Sequence, residues 1–594
     1  MRPSRWSSVI AWWGSACVVG LTLAGCSGLP PLALRPQPIP YADTLPIHEP
    51  ANLEPNEIMP LLREATVGEL GQPFDPDDWG KKNEALNLTH FDDVVNSAWF
   101  EHRIMRRELT AEEVGLGPTA EGGRPEPPYV VTELKGAGIS PGWWVRDAKG
   151  DVYLFKFDPP ENLYLASAAN TVSNRLFWAA GYHVPEDYIV VFDTASLVFQ
   201  PKGEGPTREE VREILVRTSP LPDSRYRAIA SRLLPGKPKG PFRFRGVRKD
   251  DPNDHYLHQN RRELRGLYVM AAWTNHVDIR FANTLDVFID PPGFLRHYLQ
   301  DFGATLGSGT IRPHDPREGT EYNFDVWAFF ARLFTFGFYT AGWEGVEYEI
   351  IDPSIGWLPV EMYHPGRWKP NWPNAAFRSV TAGDGYWGAK LVAALDEEMI
   401  RAAVGAGELP SRRPADTLTA ILIARRDKTV RYWFDRVSPV ENVRVECADA
   451  SGDGFVLTFE DLGIGSGVRA AAGTEYAWEL EDSRRGRHWR GDATATIRER
   501  QAIHVAPPGT ADSCLPSVAP PDRSAADVSL GGSPGGKAGE GEAGEGADVT
   551  AERLAVLRLR AGRFPPQTSE PRLATIYLLW TGEEGGYTVI GLQH

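Results

Sequence analysis

The spacing of apolar positions divides the chain into stretches of different character. From Tyr129 the pattern is sharp: Gly142–Arg146 and Val152–Phe157 read as strands flanking Asp147-Ala148-Lys149-Gly150, a turn sequence. Leu163–Ala180 has helical periodicity that stops at Gly181, and Tyr188–Phe192 follows as a strand. Arg261–Thr274 reads as a second helix, Thr284–Ile289 and Leu295–Leu299 as strands, and aromatic-rich helical patterns run through Trp327–Tyr339 to about Asp435. Strands first and helices later predict an α+β, two-lobed domain over residues 129–435. Beyond it, Phe455–Phe459, Glu475–Leu480, Leu554–Leu559 and Ala574–Leu579 look like strands of a smaller, mostly-β domain over 440–594. Their short lengths and Gly-rich turns hint at a sandwich. An insert at 508–549, rich in Pro, Ser, Gly, Ala and Glu, has too few large apolar groups to fold and is expected to be disordered. It contains a formal G-x-S-x-G at Gly531–Gly535, without the strand and helix that a hydrolase elbow requires.

The beginning of the chain has a separate pattern. Arg2 and Arg5 precede an apolar run from about Val9 to Leu23, which is short for a membrane-spanning helix of ~20 residues and suits a signal-peptide core. The run ends in Leu23-Ala24-Gly25-Cys26, which resembles a lipobox. That resemblance implies a signal peptide over 1–25, cleavage before Cys26 and lipidation of its thiol; an ordinary signal peptide or an uncleaved anchor is the alternative. Ser27 follows the Cys, where an Asp would imply inner-membrane retention, so the expected place is the cell envelope, at the outer membrane of a Gram-negative source. Residues 26–55 then read as a Pro-rich tether, and 56–128 as an N-terminal extension with a helix around Ile58–Thr66, closing in a Gly/Pro-rich run at 121–128.

Composition narrows the function classes. Apolar residues at 42% and charged residues at 24% are those of a globular protein. A formal charge of −16 argues against nucleic acid as a partner, which needs a basic footprint, but leaves room for one local phosphate site. Of four Cys, Cys17 leaves with the signal and Cys26 carries lipid; Cys447 and Cys514 remain, and pairing or free thiols are both open. No Cys/His cluster has zinc spacing.

Three motifs carry the chemistry, in one order. Gly136, Gly138 and Gly142 lead into two strands, with Lys156 on the second; His276-Val277-Asp278 precedes Asn283; and Asp301-Phe302-Gly303 follows an apolar strand. Glycines let backbone approach polyphosphate oxygens, and a strand-borne Lys neutralises them. Asp278 offers an acceptor for a hydroxyl proton, while Asn283 and Asp301 offer the hard oxygen ligands that Mg²⁺ prefers. Any one of these alone is more simply a turn or a core histidine; their combination is specific.

These residues match the protein-kinase patterns H-R-D-x-x-x-x-N and D-F-G, with Val277 in place of Arg. With Lys156-Phe157-Asp158-Pro159-Pro160, the run Ala180–Glu186 and Arg261–Gly266, the region resembles the divergent group of HipA-type and secretory atypical kinases, and bacterial lipoproteins of that type. The resemblance covers about half the chain. It implies a kinase-like domain binding ATP and Mg²⁺, with Lys156 on the nucleotide phosphates, Asp278 as base, Asn283 and Asp301 on the metal, and a protein or small molecule as acceptor.

One departure is plain. Kinases pair the strand Lys with a Glu on the next helix, yet Leu163–Ala180 contains no acidic residue; Asn170 or Asn174 occupies that turn, and Glu161 just before it is the candidate substitute. Without that partner, and in an exported compartment where ATP is expected to be scarce, a catalytically inactive pseudokinase scaffold binding an envelope partner is the rival reading. Elsewhere, Arg261, Arg262 and Arg265 are expected on a solvated helix face paired with Glu263 and nearby acids, and Trp368–Asn374 as a packed, Pro-braced loop.

Overall fold

The computed structural model describes residues 43–53, 83–119, 123–136, 138–201, 203–447, 455–482, 487–495, 500–505, 554–562, 573–580 and 587–594. Cys26 and the signal sequence, the helix expected at Ile58–Thr66, the 508–549 insert and Cys514 lie outside the described residues, as does the side chain of Cys447.

The fold is the α+β arrangement expected, with a sheet lobe, a helical lobe and a β domain. The sheet lobe has six strands: β1 (Tyr129–Leu134), β2 (Gly142–Arg146), β3 (Val152–Phe157), β4 (Asp187–Phe192), β5 (Leu197–Phe199) and β6 (Tyr226–Arg232). Their order is β4-β6-β3-β2-β1-β5, antiparallel throughout except for the parallel β1/β5 pair. The β2–β3 turn forms because the Asp147 carboxylate accepts from the backbone N–H groups of Lys149 and Asp151, at 2.9 and 3.0 Å, and Gly150 takes a φ of +93°. Strand alternation puts Tyr153, Phe155 and Phe157 on one face, in a core with Trp143, Phe192 and Ala228. Val211, Ile214 and Leu215, from one side of helix α2 (Arg208–Val216), close that core. Lys156 therefore points to the other face, the one that helix α1 (Leu165–Ala180) and the cleft share.

The helical lobe is built on α3 (Arg262–Thr274), α4 (Val326–Phe334), α5 (Ala382–Ala393) and α6 (Arg412–Phe434). Helices α3 and α5 cross so closely that a Cβ on Gly266 would lie 2.4 Å from the Trp387 ring. Around that crossing Leu267, Met270, Trp273, Trp387, Leu391 and Leu422 form a common core. The hairpin β8 (Thr284–Ile289) and β9 (Phe294–Leu299) joins this lobe to the cleft, with β7 (Lys237–Pro238) on its outer edge.

The expectation of a solvated arginine face is corrected. Arg261, Arg262 and Arg265 are all buried, and of their partners only Glu263 is the acid anticipated. Arg261 pairs with Glu263 (3.0 Å), Arg262 with Asp92 (2.9 Å) and Asp384 (2.8 Å), and Arg265 with Asp384 (3.2 Å). Asp92 and Asp384 come from far away in sequence, which no local pattern could reveal. Trp368 is buried as expected, its indole N–H donating to the Asn275 side chain at 2.7 Å.

The β domain packs two sheets on one core. One has β10 (Val440–Cys447), β11 (Phe455–Asp461) and β14 (Arg500–Val505); the other runs β13 (Arg487–Thr494), β12 (Glu475–Asp482), β15 (Leu554–Gly562), β16 (Ala574–Trp580), β17 (Tyr587–Gln593). It is tied to the helical lobe by Glu441, which accepts from Tyr386 (3.0 Å) and Lys390 (2.6 Å). Residues 43–53 also dock on the body: Asp43 accepts from the Ala98 N–H at 2.8 Å, and Leu53 N–H donates to the Lys239 carbonyl at 2.9 Å.

Candidate functional site

Lys156 and Asp301 meet where the sheet lobe faces the β8–β9 hairpin. The Lys156 ammonium donates to Asp301 Oδ1 at 3.1 Å. The lysine side chain is 10% exposed and the aspartate 45%, so the cation is buried and the carboxylate is open to solvent. Burial alone would lower the lysine's affinity for its proton, but Asp301 and Asp187 outweigh it and hold the Lys156 pKa above its ordinary value. Lys156 in turn holds the Asp301 carboxyl below the usual carboxylate range, against the effect of burial, with Lys135 and His276 adding to it.

The glycine-bearing loop lies over this pair. Gly142 faces Lys156 directly in the β2/β3 ladder, and a Cβ there would sit 2.3 Å from the Phe155 carbonyl oxygen, so no larger residue fits. Gly138 has a φ of +88°, in the left-handed region that favours glycine, and Gly136 has open space around it. Lys135 N–H closes the loop onto the Gly142 carbonyl at 3.1 Å, and its ammonium donates to the Ser140 carbonyl at 2.9 Å. Burial and the nearby Lys156 charge push the Lys135 pKa down, opposed by Asp301. Two lysines thus bracket one carboxylate beneath the loop.

The β8–β9 hairpin brings the second and third motifs together. Asn283 and Gln300 flank its base, where Gln300 N–H donates to the Asn283 carbonyl at 3.0 Å, so Asn283 and Asp301 leave the same end of one ladder. The Asn283 amide NH₂ donates to both the backbone carbonyl and a side-chain oxygen of Asp278, at 2.8 and 2.9 Å. Arg280 forms an ion pair with Asp278 at 3.0 Å. Asn283 Oδ1 and Asp301 Oδ2 have no hydrogen-bond partner among the described residues. Two hard oxygens on residues at the same end of the hairpin are the kind of ligand Mg²⁺ takes, completed by phosphate and water rather than by a protein cage.

Phe302 is fully buried and His276 is buried against it, with ring centroids 5.5 Å apart; Phe177 of α1 lies 5.0 Å beyond Phe302. Burial pushes the His276 pKa down to about 4, so the ring is neutral at pH 7 and acts as packing. Val277 is likewise buried.

Glu161 does not fill the place of the missing helix glutamate. It is exposed, and among the described residues Lys156 forms its ion pair with Asp301 instead. The second acidic group near Lys156 is Asp187, at the start of β4, which the sequence reading overlooked. Asp187 is buried and accepts from Asn170 (2.6 Å), from Asn174 (3.4 Å) and from Ser231 (2.6 Å). Burial raises its pKa, opposed by Lys156, Ser231, Asn170 and Arg175. Lys135 was overlooked as well, although it directly precedes Gly136. An acid opening the otherwise apolar strand Asp187–Phe192 was the one sequence signal for Asp187.

Among the described residues no group of three or more His, Cys, Asp or Glu side chains could hold a metal ion by itself, and no helix is long and apolar enough to cross a membrane.

No family model matches the chain, and no curated protein matches it. Among solved structures it is similar to a Helicobacter pylori proinflammatory kinase, CtkA, over 51% of this chain and 96% of that one. The identity is 10% and the TM-score 0.28, a likeness too distant to carry an argument about fold or activity.

Proposed function

We propose that this chain is an envelope-anchored lipoprotein with an atypical, HipA-type kinase-like domain that binds ATP with Mg²⁺ and transfers phosphate to a protein or small-molecule hydroxyl. The observation that carries this reading is the Lys156–Asp301 pair beneath the glycine loop, at the same hairpin end as Asn283 and Asp278. Lys156 and Lys135 would neutralise nucleotide phosphates, and the loop backbone would approach them at Gly136, Gly138 and Gly142. Asn283 and Asp301 would hold Mg²⁺, which when bound screens the phosphate charge. Asp278 would take the proton as the acceptor oxygen bonds to the terminal phosphorus and the bond to the bridging oxygen of ADP breaks. Membrane attachment would run through lipidated Cys26.

One observation favours the second reading, a pseudokinase scaffold that binds an envelope partner. Lys156 sits on Asp301 itself, the residue a metal would need, and no glutamate from α1 draws it away. The deciding experiment is calorimetry of ATP, with and without Mg²⁺, on the chain from Ser27 onward and on Asp301→Ala. Mg²⁺-dependent binding that the variant loses supports the nucleotide site. No binding at millimolar ATP removes the chemistry and leaves the scaffold.

A further inference from the structure

Helix α4 and the turn after it carry their aromatic residues on the outside. Trp327, Phe329, Leu333, Phe334, Phe336 and Phe338 are exposed, Phe336 and Phe338 at 92% and 88%. Trp327, Ala328 and Ala331 of the helix line a cavity of about 1140 Å³, together with Trp368 and Tyr432, whereas Phe329, Leu333, Phe334, Phe336 and Phe338 do not. An apolar surface of this kind marks an interaction site in a water-soluble body.

The surface also lacks free charge. From Phe324 to Trp343 the only ionisable acids and bases with charge at pH 7 are Asp325 and Arg332. Asp325 caps the helix through the N–H groups of Trp327 and Ala328 and pairs with Lys369 at 2.7 Å. Arg332 pairs with Glu344 at 2.8 Å and with Glu321 at 3.4 Å. What remains outward is Trp, Phe, Leu and Tyr, the composition that settles at the boundary of lipid headgroups and acyl chains.

The length of chain ahead of the fold points to the same occupant. Asp43 is pinned to Ala98, and 16 residues lie between it and Cys26. A chain of that length is long enough for the body to reach back to the bilayer in which Cys26 would be anchored.

We propose that α4 and the turn Thr335–Tyr339 form a second membrane contact that inserts into a phospholipid surface and orients the body on it. This rests on the lipoprotein reading for its biological setting, but not for its test. Because the chain carries a formal charge of −16, the contact is apolar rather than electrostatic, and anionic lipid does not strengthen it.

The test is co-sedimentation of the chain from Ser27 onward, which keeps every element of the fold and has no lipid, with phosphatidylcholine vesicles. Binding is expected to persist in about 0.5 M salt, where charge attraction is screened. The triple variant Phe334→Ser, Phe336→Ser, Phe338→Ser is expected to lose about tenfold in partitioning with an unchanged melting temperature, since these side chains pack against little. Absence of wild-type binding, or equal binding by the triple variant, overturns the proposal. So does self-association of the wild type that the variant abolishes without any vesicle binding, which would assign the surface to a second copy. Lipidation itself is read separately, by incorporation of labelled fatty acid into the full chain and into Cys26→Ser.

Discussion

Asn170 of α1 and Asp187 of β4 are joined by a 2.6 Å hydrogen bond, and the same Asn170 amide accepts the Phe302 N–H through its oxygen at 3.0 Å. One neutral side chain thereby fixes both an acid near Lys156 and the backbone beside Asp301. Asn170→Ala should cost about 1–3 kcal/mol in urea denaturation, because it leaves the buried Phe302 N–H unpaired and leaves Asp187 Oδ2 with only the long 3.4 Å bond from Asn174. Asn170→Glu, which restores the usual helix glutamate, should also destabilise, since it sets a second carboxylate against Asp187. A stable Asn170→Glu protein would refute this account of the pair.

Lys156→Met should abolish nucleotide binding and let the Asp301 pKa rise toward its ordinary 3.8. The signs are opposite for the two partners. The depressed Asp301 pKa contributes stability above about pH 4 that is lost as pH falls further; the raised Lys156 pKa contributes stability up to about pH 10 that is lost above it. The stability difference between wild type and Lys156→Met should thus be flat from about pH 5 to 9, measured by chemical denaturation.

His276 sets a different window. Its pKa falls from an ordinary 6.5 to about 4 in the fold, so the folded state binds fewer protons than the unfolded chain between those values. Stability should decline as pH drops from 6.5 to 4, by an amount on the order of 3 kcal/mol from this residue. His183 and His314, each pushed by burial to about 3, add to the same slope. His276→Gln should make the acid-side slope shallower, and an unchanged slope would exclude the assignment.

Gly142→Ala should lower the melting temperature and weaken ATP binding together, since the added carbon meets the Phe155 carbonyl at 2.3 Å in the strand that carries Lys156. A cost of about 1–3 kcal/mol is expected. Gly136→Ala, in open space, should leave stability nearly unchanged.

Arg262→Met should be severe, at about 3–5 kcal/mol, because Asp92 and Asp384 would be left buried without their shared cation. Circular dichroism melts against Arg436→Met, whose guanidinium lies over the Tyr432 ring, provide the comparison.

What could be read from sequence follows from the range of the forces involved. Strands such as Val152–Phe157 and the stop of α1 at Gly181 are set by neighbours within a few residues, and the chain states them openly. So are Asp147 and Gly150 in their turn. The six-stranded order is not, because β4 and β6 reach β3 only through long-range pairing. Asp187 escaped notice for the same reason: its meaning depends on Lys156, Asn170 and Ser231, which no local window contains. Arg262 looked solvated because Asp92 and Asp384 are invisible from its own helix.

The hairpin Thr284–Leu299 has a consequence for how such a site can vary. Asn283 and Asp301 are separated by 18 positions in the chain, but their spacing is set at the open end, by the pairing of Thr284 with Leu299. The far tip, Asp290–Gly293, can lengthen or shorten without moving either oxygen. A single-residue insertion inside β8 or β9 is another matter, since it reverses which face every later side chain occupies. Change in the turn therefore costs only its own contacts, such as the Ile47 N–H on the Gly293 carbonyl at 2.7 Å, while a change in the parity of the two strands costs the site.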